Sequence, residues 1–331
     1  MIANKNAAAI AAAALAVSLT GASAADGLRI AYFASASQNG FNQAVYAGIQ
    51  EVAAEHGAET AIYDGQFNAE IQYNQIEDVL AGGNFDAFIV LPNDTVGIAG
   101  AFEQVIAAGT PIATTLFPVG PDLNTLEPQV EGITATVASL PVPGATLQAQ
   151  DLATHCENLD PCNVVILIGA KIFPFDVLRM ETYYSVFDQH ENIDVVAVGE
   201  GWYDPDTSLT VMTDILQANS EVHAIVSVGD QHLLGAEIAL EGAGHNVPDL
   251  YLSGGGAATI SVDAIREGRW DATLAFFPHT MGKLAAEAVI AAANGEDVDV
   301  AINLDVVGPL PPIVTKAVLD ANPDFQGEWA Q

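Results

Sequence analysis

The segment LRIAYFASASQNGFNQAVYAGIQEV, residues 28–52, joins an apolar run to a long amphipathic stretch through a polar turn. An apolar run bounded by turn residues is typical of a buried strand, and the spacing after Phe41 is helical. The turn between them, residues 37–40, holds a serine, a glutamine, an asparagine and a glycine. It either caps the helix or forms the lip of a ligand cleft, because ligands bind beside the carboxyl ends of parallel strands.

The first 24 residues have the features of a cleavable export signal. Lys5 precedes an apolar core that is too short to span a bilayer, and Ala22–Ala24 reads ASA, the small-x-small pattern of a cleavage site. We therefore expect residues 1–24 to be removed near Ala24 and the mature protein to reside in the periplasm.

The remaining chain, about 300 residues, repeats the unit of strand, turn and helix. Near-continuous apolar strands alternating with amphipathic helices predict an α/β fold with parallel sheets covered on both faces, and this length predicts two lobes. The predicted strands are LRIAYF, ETAIYD, DAFIVLP, PIATTLF, NVVILIG, IDVVAVG, HAIVSVG, LYLSG, DATLAFF and VAINLDVV. The predicted helices are 41–56, 69–81, 96–108, 144–156, 176–190, 207–218, 231–243, 257–267 and 280–295.

The charge balance is strongly acidic, with 42 Asp and Glu residues against 8 Lys and Arg residues and a net charge of −34. Such a surface excludes nucleic acid or an anionic membrane as the main partner. The acidic residues are scattered along the chain, which favours a solvated acidic surface.

Cys156 and Cys162 are the only cysteines, in the segment HCENLDPC. In an exported protein, two thiols this close favour one local disulfide with a structural role. A metal site would need more thiolates or suitably spaced histidines, so we expect neither a metal nor another cofactor.

Beyond the opening segment, several motifs follow one another in a recognisable order. QYNQIEDVL (72–80), DAFIVLPND (86–94), HAIVSVGDQHLLGAEIALEGAG (223–244), the run from GGGAATIS to AAEAVI (254–290) and ANGEDV (293–298) cover most of the chain. In order and spacing they resemble the periplasmic sugar-binding proteins of the ribose-binding type, which are receptors of ATP-driven (ABC) import systems.

The resemblance implies the type I periplasmic binding protein fold, two doubly wound parallel-sheet lobes joined by a three-segment hinge. The chain would cross between lobes near Val137, Phe277 and Val307. The N-terminal lobe would comprise residues 25–137 plus 278–306, and the C-terminal lobe residues 138–277 plus 307–331. A ligand would bind between the lobes, and closure would be a hinge motion.

The resemblance also implies where the ligand-binding residues lie. In relatives, the asparagine after the first strand hydrogen-bonds sugar hydroxyls and the neighbouring aromatics stack on the ring. Carried onto this chain, together with strand-end residues of both lobes, the predicted site comprises Gln38, Asn39, Phe41, Asn42, Thr115, Phe117, Arg179, Trp202, Asp230, Gln231, Gly255 and Phe276. For the aromatic members, and for Phe33, Phe173 and Phe277 as further candidates, ordinary core packing is the competing interpretation.

Several family positions that bind hydroxyls have changed here. TTLF (114–117) replaces an Asp-Arg pair, Gly229 an asparagine, GGG (254–256) an aromatic-Asp pair, and Phe276 a glutamine. Unpaired buried polar groups cost on the order of 1–3 kcal/mol each, so tight binding of a plain pentose or hexose is not expected. The predicted ligand is sugar-like but less hydroxylated, cyclic or carboxylate-bearing.

Lys171 and Arg179 follow one strand of the second lobe and would meet a ligand carboxylate, if the ligand is anionic. Pairing of Arg179 with a local acid such as Asp176 is an equal alternative.

We find no catalytic motif of the hydrolase, metalloprotease, P-loop or dinucleotide-binding kind, so we do not expect an enzyme. The leading function is a monomeric solute receptor that delivers its ligand to an ABC permease. The alternative is a sensing subunit that docks on a histidine kinase or chemoreceptor.

Overall fold

The computed structural model describes residues 27–330, so the predicted leader lies outside the described residues. Two six-stranded sheets form the framework. The first has the order β11-β5-β4-β3-β1-β2, with β1 (Arg29–Ala34), β2 (Glu59–Asp64), β3 (Ala87–Val90), β4 (Ile112–Thr115), β5 (Ala135–Ala138) and β11 (Ala301–Asn303). The second has the order β12-β10-β9-β8-β6-β7, with β6 (Cys162–Ile168), β7 (Ile193–Glu200), β8 (Ala224–Ser227), β9 (Tyr251–Gly256), β10 (Ala272–Ala275) and β12 (Ile313–Thr315).

Helices cover both faces of each sheet. They are α1 (Gly40–Glu55), α2 (Ala69–Gly82), α3 (Ala99–Ala107), α4 (Pro141–Cys156), α5 (Pro174–Phe187), α6 (Pro205–Ala218), α7 (Asp230–Gly242), α8 (Thr259–Glu267), α9 (Pro278–Ala293), α10 (Leu304–Val307) and α11 (Lys316–Ala321), with a 3₁₀ turn at Val247–Asp249. Helices α1 and α9 pack on one face of the first sheet, and α2 and α3 on the other. Helices α4 and α5 cover one face of the second sheet, and α6 to α8 the other.

The predicted α/β fold with two doubly wound sheets is confirmed, with corrections in detail. Strand β12 is antiparallel to β10, so the second sheet is not wholly parallel. Strand β5 lies within residues 118–143, a passage rich in proline and glycine for which we predicted no strand. The predicted strand VAINLDVV ends at Asn303, because Asn303 caps α10 by accepting a hydrogen bond from the Asp305 amide.

The chain passes between the two sheets three times: between β5 and α4, between β10 and α9, and between β11 and β12. Parallel strands within a sheet point the same way, so their carboxyl ends form one edge. The turns after β1, β4, β8 and β9 leave these edges, and they carry most of the residues discussed below.

The predicted disulfide between Cys156 and Cys162 is present, with the two Cα atoms 5.6 Å apart. It joins the end of α4 to the start of β6, and both residues are fully buried. Within residues 27–330, no helix is long and apolar enough to cross a membrane.

Candidate ligand-binding site

A cavity of about 690 Å³ lies between the two sheets at their carboxyl edges. The first sheet contributes Asn39 and Phe41, after β1, and Phe117, after β4. The second contributes Val228, after β8, and Gly255, in β9. This is the position at which open α/β sheets bind ligands, and the volume suits a small molecule.

Aromatic rings form much of the cavity wall. Phe117 meets Phe175 of α5 edge to face, with ring centroids 4.7 Å apart. Phe175 lies 6.5 Å from Phe276, which occupies the second passage between the sheets. These rings belong to an apolar cluster that joins the two lobes, so the wall of the cavity also holds the lobes together.

Most of the predicted site residues line this cavity: Asn39, Phe41, Asn42, Phe117, Arg179, Gln231, Gly255 and Phe276. Of the further aromatic candidates, Phe173 lines it too. Phe33 is instead core, stacked on Tyr63, and Phe277 is buried against Phe325.

Gln38, Thr115, Trp202 and Asp230, which were also predicted as site residues, are not among the described residues that line the cavity. Gln38 is exposed and bonds only its neighbour Ser37. Thr115 is fully buried, with its hydroxyl donating to the Val90 carbonyl oxygen. Trp202 is 52% exposed and lies outside, edge-on to Phe173.

Asp230 turns inward because it holds the start of the following helix, α8. Its carboxylate accepts hydrogen bonds from the Ala258 amide at 2.8 Å and the Thr273 hydroxyl at 2.9 Å. Gly254 makes room for it, since a Cβ there would lie 2.2 Å from an Asp230 oxygen. The carboxylate is therefore a structural support for the cavity wall.

Other polar side chains at the cavity are already used within the protein. Asn42 accepts hydrogen bonds from the Tyr32 hydroxyl and the Ser35 amide, and its own amide donates to the Ser35 hydroxyl. Asn39 caps α1 by accepting from the Phe41 and Asn42 amides. The side-chain oxygens of both asparagines are therefore already engaged within the protein.

Within residues 27–330, Arg179 is the one basic residue that lines the cavity, and it is 1% exposed. Its guanidinium lies over the rings of Phe175 and Phe276, 5.5 and 5.2 Å from their centroids. It also donates a hydrogen bond to the Val228 carbonyl oxygen at 3.0 Å. Among the described residues, its Nε atom has no hydrogen-bond partner. Arg179 forms no ion pair with Asp176 within the described residues, and Lys171 is exposed and does not line the cavity.

Asp176 also faces the cavity, where its carboxylate accepts from the Tyr203 hydroxyl at 2.5 Å and the Ala170 amide at 3.1 Å. Burial raises the pKa of the Asp176 carboxyl, and the Tyr203 hydrogen bond and the charge of Arg179 reduce that rise. Both oxygens have protein partners, so this carboxylate holds the turn that carries Tyr203 in place.

Three residues at the cavity have left-handed backbone conformations that side chains other than glycine seldom adopt: Phe67 (φ 49°), Leu116 (φ 65°) and Tyr203 (φ 53°). Sequence reasoning missed Phe67, Phe175 and Trp329 as cavity residues. Trp329, near the end of the chain, carries no local signal, because the contact that brings it here is made across the fold.

His232 supports the same region from behind and is fully buried. Its Nε2 accepts a hydrogen bond from the Tyr203 amide at 3.0 Å, so Nδ1 carries the proton and donates to the Ser227 hydroxyl. Burial, with a smaller effect of the Arg179 charge, lowers the pKa of His232 to about 3.

We expect the protein to lose stability as the pH falls from 6.5 towards 3. Over this range His232 becomes protonated in the unfolded chain but stays neutral in the native protein, which favours unfolding. Over that window the lowered pKa corresponds to about 4 kcal/mol. Asp230 opposes the effect: burial raises its pKa to about 6, so its protonation favours the native state as the pH falls below 6. Urea unfolding of His232→Gln should therefore show a much flatter acid slope.

The matched control for this substitution is His190→Gln at an exposed position, which should keep the wild-type slope. Equal acid slopes in wild type and His232→Gln would contradict the prediction. The slope is the quantity compared, so a uniform loss of stability in the variant does not affect the test.

Comparison with known proteins agrees with this architecture. The family model described as periplasmic binding protein domain matches residues 30–297. A ribose import binding protein of Bacillus subtilis is 28% identical over 269 residues, covering 81% of this chain and 83% of that protein. A putative rhizopine-binding protein of Rhizobium meliloti is 27% identical, covering 82% of this chain and 84% of that protein.

Among solved structures, an ABC transporter solute binding protein of Bacillus halodurans with bound myo-inositol is 26% identical. Its TM-score is 0.76, and the match covers 91% of this chain and 99% of that one. This chain belongs to the periplasmic binding protein domain family. The resemblance to the ribose-binding type stated from the sequence is confirmed.

Proposed function

We propose that this protein is the extracytoplasmic solute receptor of an ABC import system. It binds a small sugar-like molecule in the cavity between its lobes and delivers it to a membrane permease. The relatives support the receptor role, since they are named as import or solute binding proteins and one holds myo-inositol. The N-terminal leader supports the periplasmic location.

Ligand capture is a hinge motion of two lobes, residues 25–137 plus 278–306 and residues 138–277 plus 307–331. The three passages between the sheets are the segments that would bend. The receptor acts as a monomer, because the cavity draws its walls from both lobes of a single chain.

The chemistry of the cavity wall indicates which class of ligand the protein binds. Aromatic rings line it, while the side-chain oxygens of Asn39 and Asn42 accept hydrogen bonds from within the protein. A fully hydroxylated pyranose would leave hydroxyls unpaired against these rings, at about 1–3 kcal/mol each. The ligand is therefore a ring compound with few hydroxyls, and a carboxylate on it would be met by the Arg179 guanidinium.

Calorimetry tests this choice with two sets of compounds. We expect one of three more apolar ring compounds, D-fucose, cyclohexanecarboxylate or benzoate, to bind with a micromolar or lower Kd. Ribose, glucose, galactose and xylose should bind at least 100-fold more weakly. Tight binding of any of these four would contradict the proposed ligand class and leave the receptor role standing.

Phe41→Ala should weaken binding of the best compound by at least 10-fold, because the substitution removes an aromatic wall of the cavity. Calorimetry measures the change in Kd, and the unfolding transition should stay cooperative. Phe85→Ala is the matched control, since Phe85 is a partly buried phenylalanine of the same lobe, packed on Arg29 at the amino end of β1. Equal affinity in the two variants would place the site elsewhere.

A further inference from the structure

The C-terminal segment, residues 322–330, runs along the second lobe and ends at the cavity. Arg266 donates to the carbonyl oxygens of Phe325 and Pro323, at 2.5 and 3.0 Å, which holds the segment against α8. Further on, the Thr259 amide and hydroxyl donate to the Trp329 carbonyl oxygen, at 2.9 and 3.1 Å. These bonds place the Trp329 backbone at the start of α8.

Two helices depend on this segment for their N-terminal caps. The residues that precede α8 and α9, Ala258 and Phe277, make no side-chain cap hydrogen bond. The Trp329 carbonyl oxygen accepts from the first amide of α8, and the Glu328 carboxylate accepts from the Thr280 amide and hydroxyl in α9. An anion at a helix N-terminus is favourable, so Glu328 fixes the segment firmly beside the second passage between the sheets.

The indole of Trp329 enters the cavity wall from this anchored position and is 5% exposed. Its Nε1 donates to the Gly256 carbonyl oxygen at 2.8 Å, and its ring meets Phe41 edge to face with centroids 5.7 Å apart. The indole therefore contacts both lobes, through Phe41 of the first and Gly256 at the end of β9 in the second.

The glycine run 254–256 gives this indole its space. Gly256 has φ +126°, and a Cβ at this position would lie 2.6 Å from the Trp329 Cζ2 atom. Gly255 and Gly256 line the cavity without side chains. The side-chain surface at the end of β9 is therefore supplied by Trp329, 73 positions after Gly256.

We propose that Trp329 is a ligand-binding residue and that its indole and the Phe41 ring together receive the apolar face of a cyclic ligand. This inference rests on the proposed function, since it names a contact of the same cavity. An edge-to-face pair forms a corner that suits a flat or chair-shaped ring, and such a corner selects against linear solutes of equal polarity.

The test is calorimetry with the compound that binds best among D-fucose, cyclohexanecarboxylate and benzoate. Trp329→Ala should weaken binding at least 10-fold, and Trp329→Phe, which keeps an aromatic ring, should stay within about threefold of wild type. Trp202→Ala is the matched control, since Trp202 is a half-exposed tryptophan outside the cavity, and it should bind as wild type.

Fluorescence gives a second measurement if Trp329→Ala folds poorly. In Trp202→Phe, emission comes from Trp329 and from Trp270, which is buried and bonded to Glu237. Saturating compound should change this emission, and the change should disappear when Trp329→Phe is added.

Each result decides a specific claim. Equal affinity in wild type and Trp329→Ala, or a ligand-induced emission change that persists without Trp329, would overturn the role of Trp329 and leave the receptor function intact. If none of the three compounds raises the melting temperature of the wild-type protein, the proposed ligand class fails, and this inference fails with it.

Discussion

Gly282→Ala is expected to destabilise the protein by about 3 kcal/mol or more, although alanine normally favours a helix interior over glycine by roughly 0.5–1 kcal/mol. Helices α1 and α9 are in close backbone contact on the first sheet. A Cβ on Gly282 would lie 2.0 Å from the Val45 carbonyl oxygen, and one on Gly48 would lie 2.1 Å from the His279 carbonyl oxygen. Backbone atoms cannot rotate away, so the helices would have to separate.

Separation of these helices would also disturb the cavity. Helix α1 begins at the lip that carries Phe41, and α9 begins directly after Phe276 and Phe277. We therefore expect loss of ligand binding alongside the loss of stability, measured by calorimetry and by urea unfolding.

Gly242→Ala is the control for this substitution. Gly242 ends α7, and a Cβ there would have no atom within 4 Å. The control should be neutral or slightly stabilising. A Gly282→Ala protein as stable as the control would contradict the prediction and show that the contact between α1 and α9 can accommodate a Cβ.

The second large effect is expected for Gln148→Leu, at about 3–5 kcal/mol of destabilisation. Gln148 is fully buried in α4. Its amide donates to the carbonyl oxygens of Ser227 (3.2 Å) and Gly254 (2.6 Å) and to the Ser253 hydroxyl (3.0 Å), and its oxygen accepts from the Tyr183 hydroxyl at 2.6 Å. Leucine has a similar size but leaves all of these groups without their partner.

Denaturant unfolding measures this effect, with Gln150→Leu as the control, since Gln150 is exposed on the same helix. The control should lie within about 0.5 kcal/mol of wild type. If the two variants are equally stable, water or a rearranged strand end must satisfy the freed groups. Binding should weaken in Gln148→Leu as well, because the carbonyl of Gly254 directly precedes the cavity residue Gly255.

In the first sheet, Gln72 has the role that Gln148 has in the second, hydrogen bonding to backbone carbonyl groups at strand ends. Fully buried in α2, it donates to the carbonyl oxygens of Phe33, Ala34 and Leu91, at the ends of β1 and β3, and accepts from the Asn93 amide. Each lobe thus uses one buried glutamine to satisfy carbonyl groups where its strands diverge at the cavity edge. Divergence frees carbonyl groups from the sheet, and burial requires that they be paired.

The sequence predicted the fold well because the alternation of buried strand and amphipathic helix is a strong, local signal. Strands β5 and β12 were missed for physical reasons. β5 is four residues of small and β-branched side chains within a loop-like passage, and β12 is a three-residue antiparallel strand held only at the sheet edge. Short strands are stabilised mainly by pairing with a neighbouring strand, and a sequence pattern does not reveal that pairing.

The candidate site was predicted less completely, because side-chain direction and long-range contacts decide it. The edge of the sheet was placed correctly from strand ends, which brought Asn39, Phe41 and Phe276 together. Asp230 has the right position in sequence but turns away to hold α8. Trp329 reaches the cavity only because caps on two helices anchor its segment, and neither cap is visible before the fold is known.

Three residues at the cavity combine a left-handed backbone with a large side chain. A non-glycine residue at positive φ costs on the order of 1 kcal/mol or more, and glycine at the same position would avoid that cost. Phe67, Leu116 and Tyr203 nevertheless keep large side chains, and all three face the cavity. If only the turns mattered, glycine would serve at each position. The phenylalanine, leucine and tyrosine side chains therefore give the cavity surface that glycine would not supply.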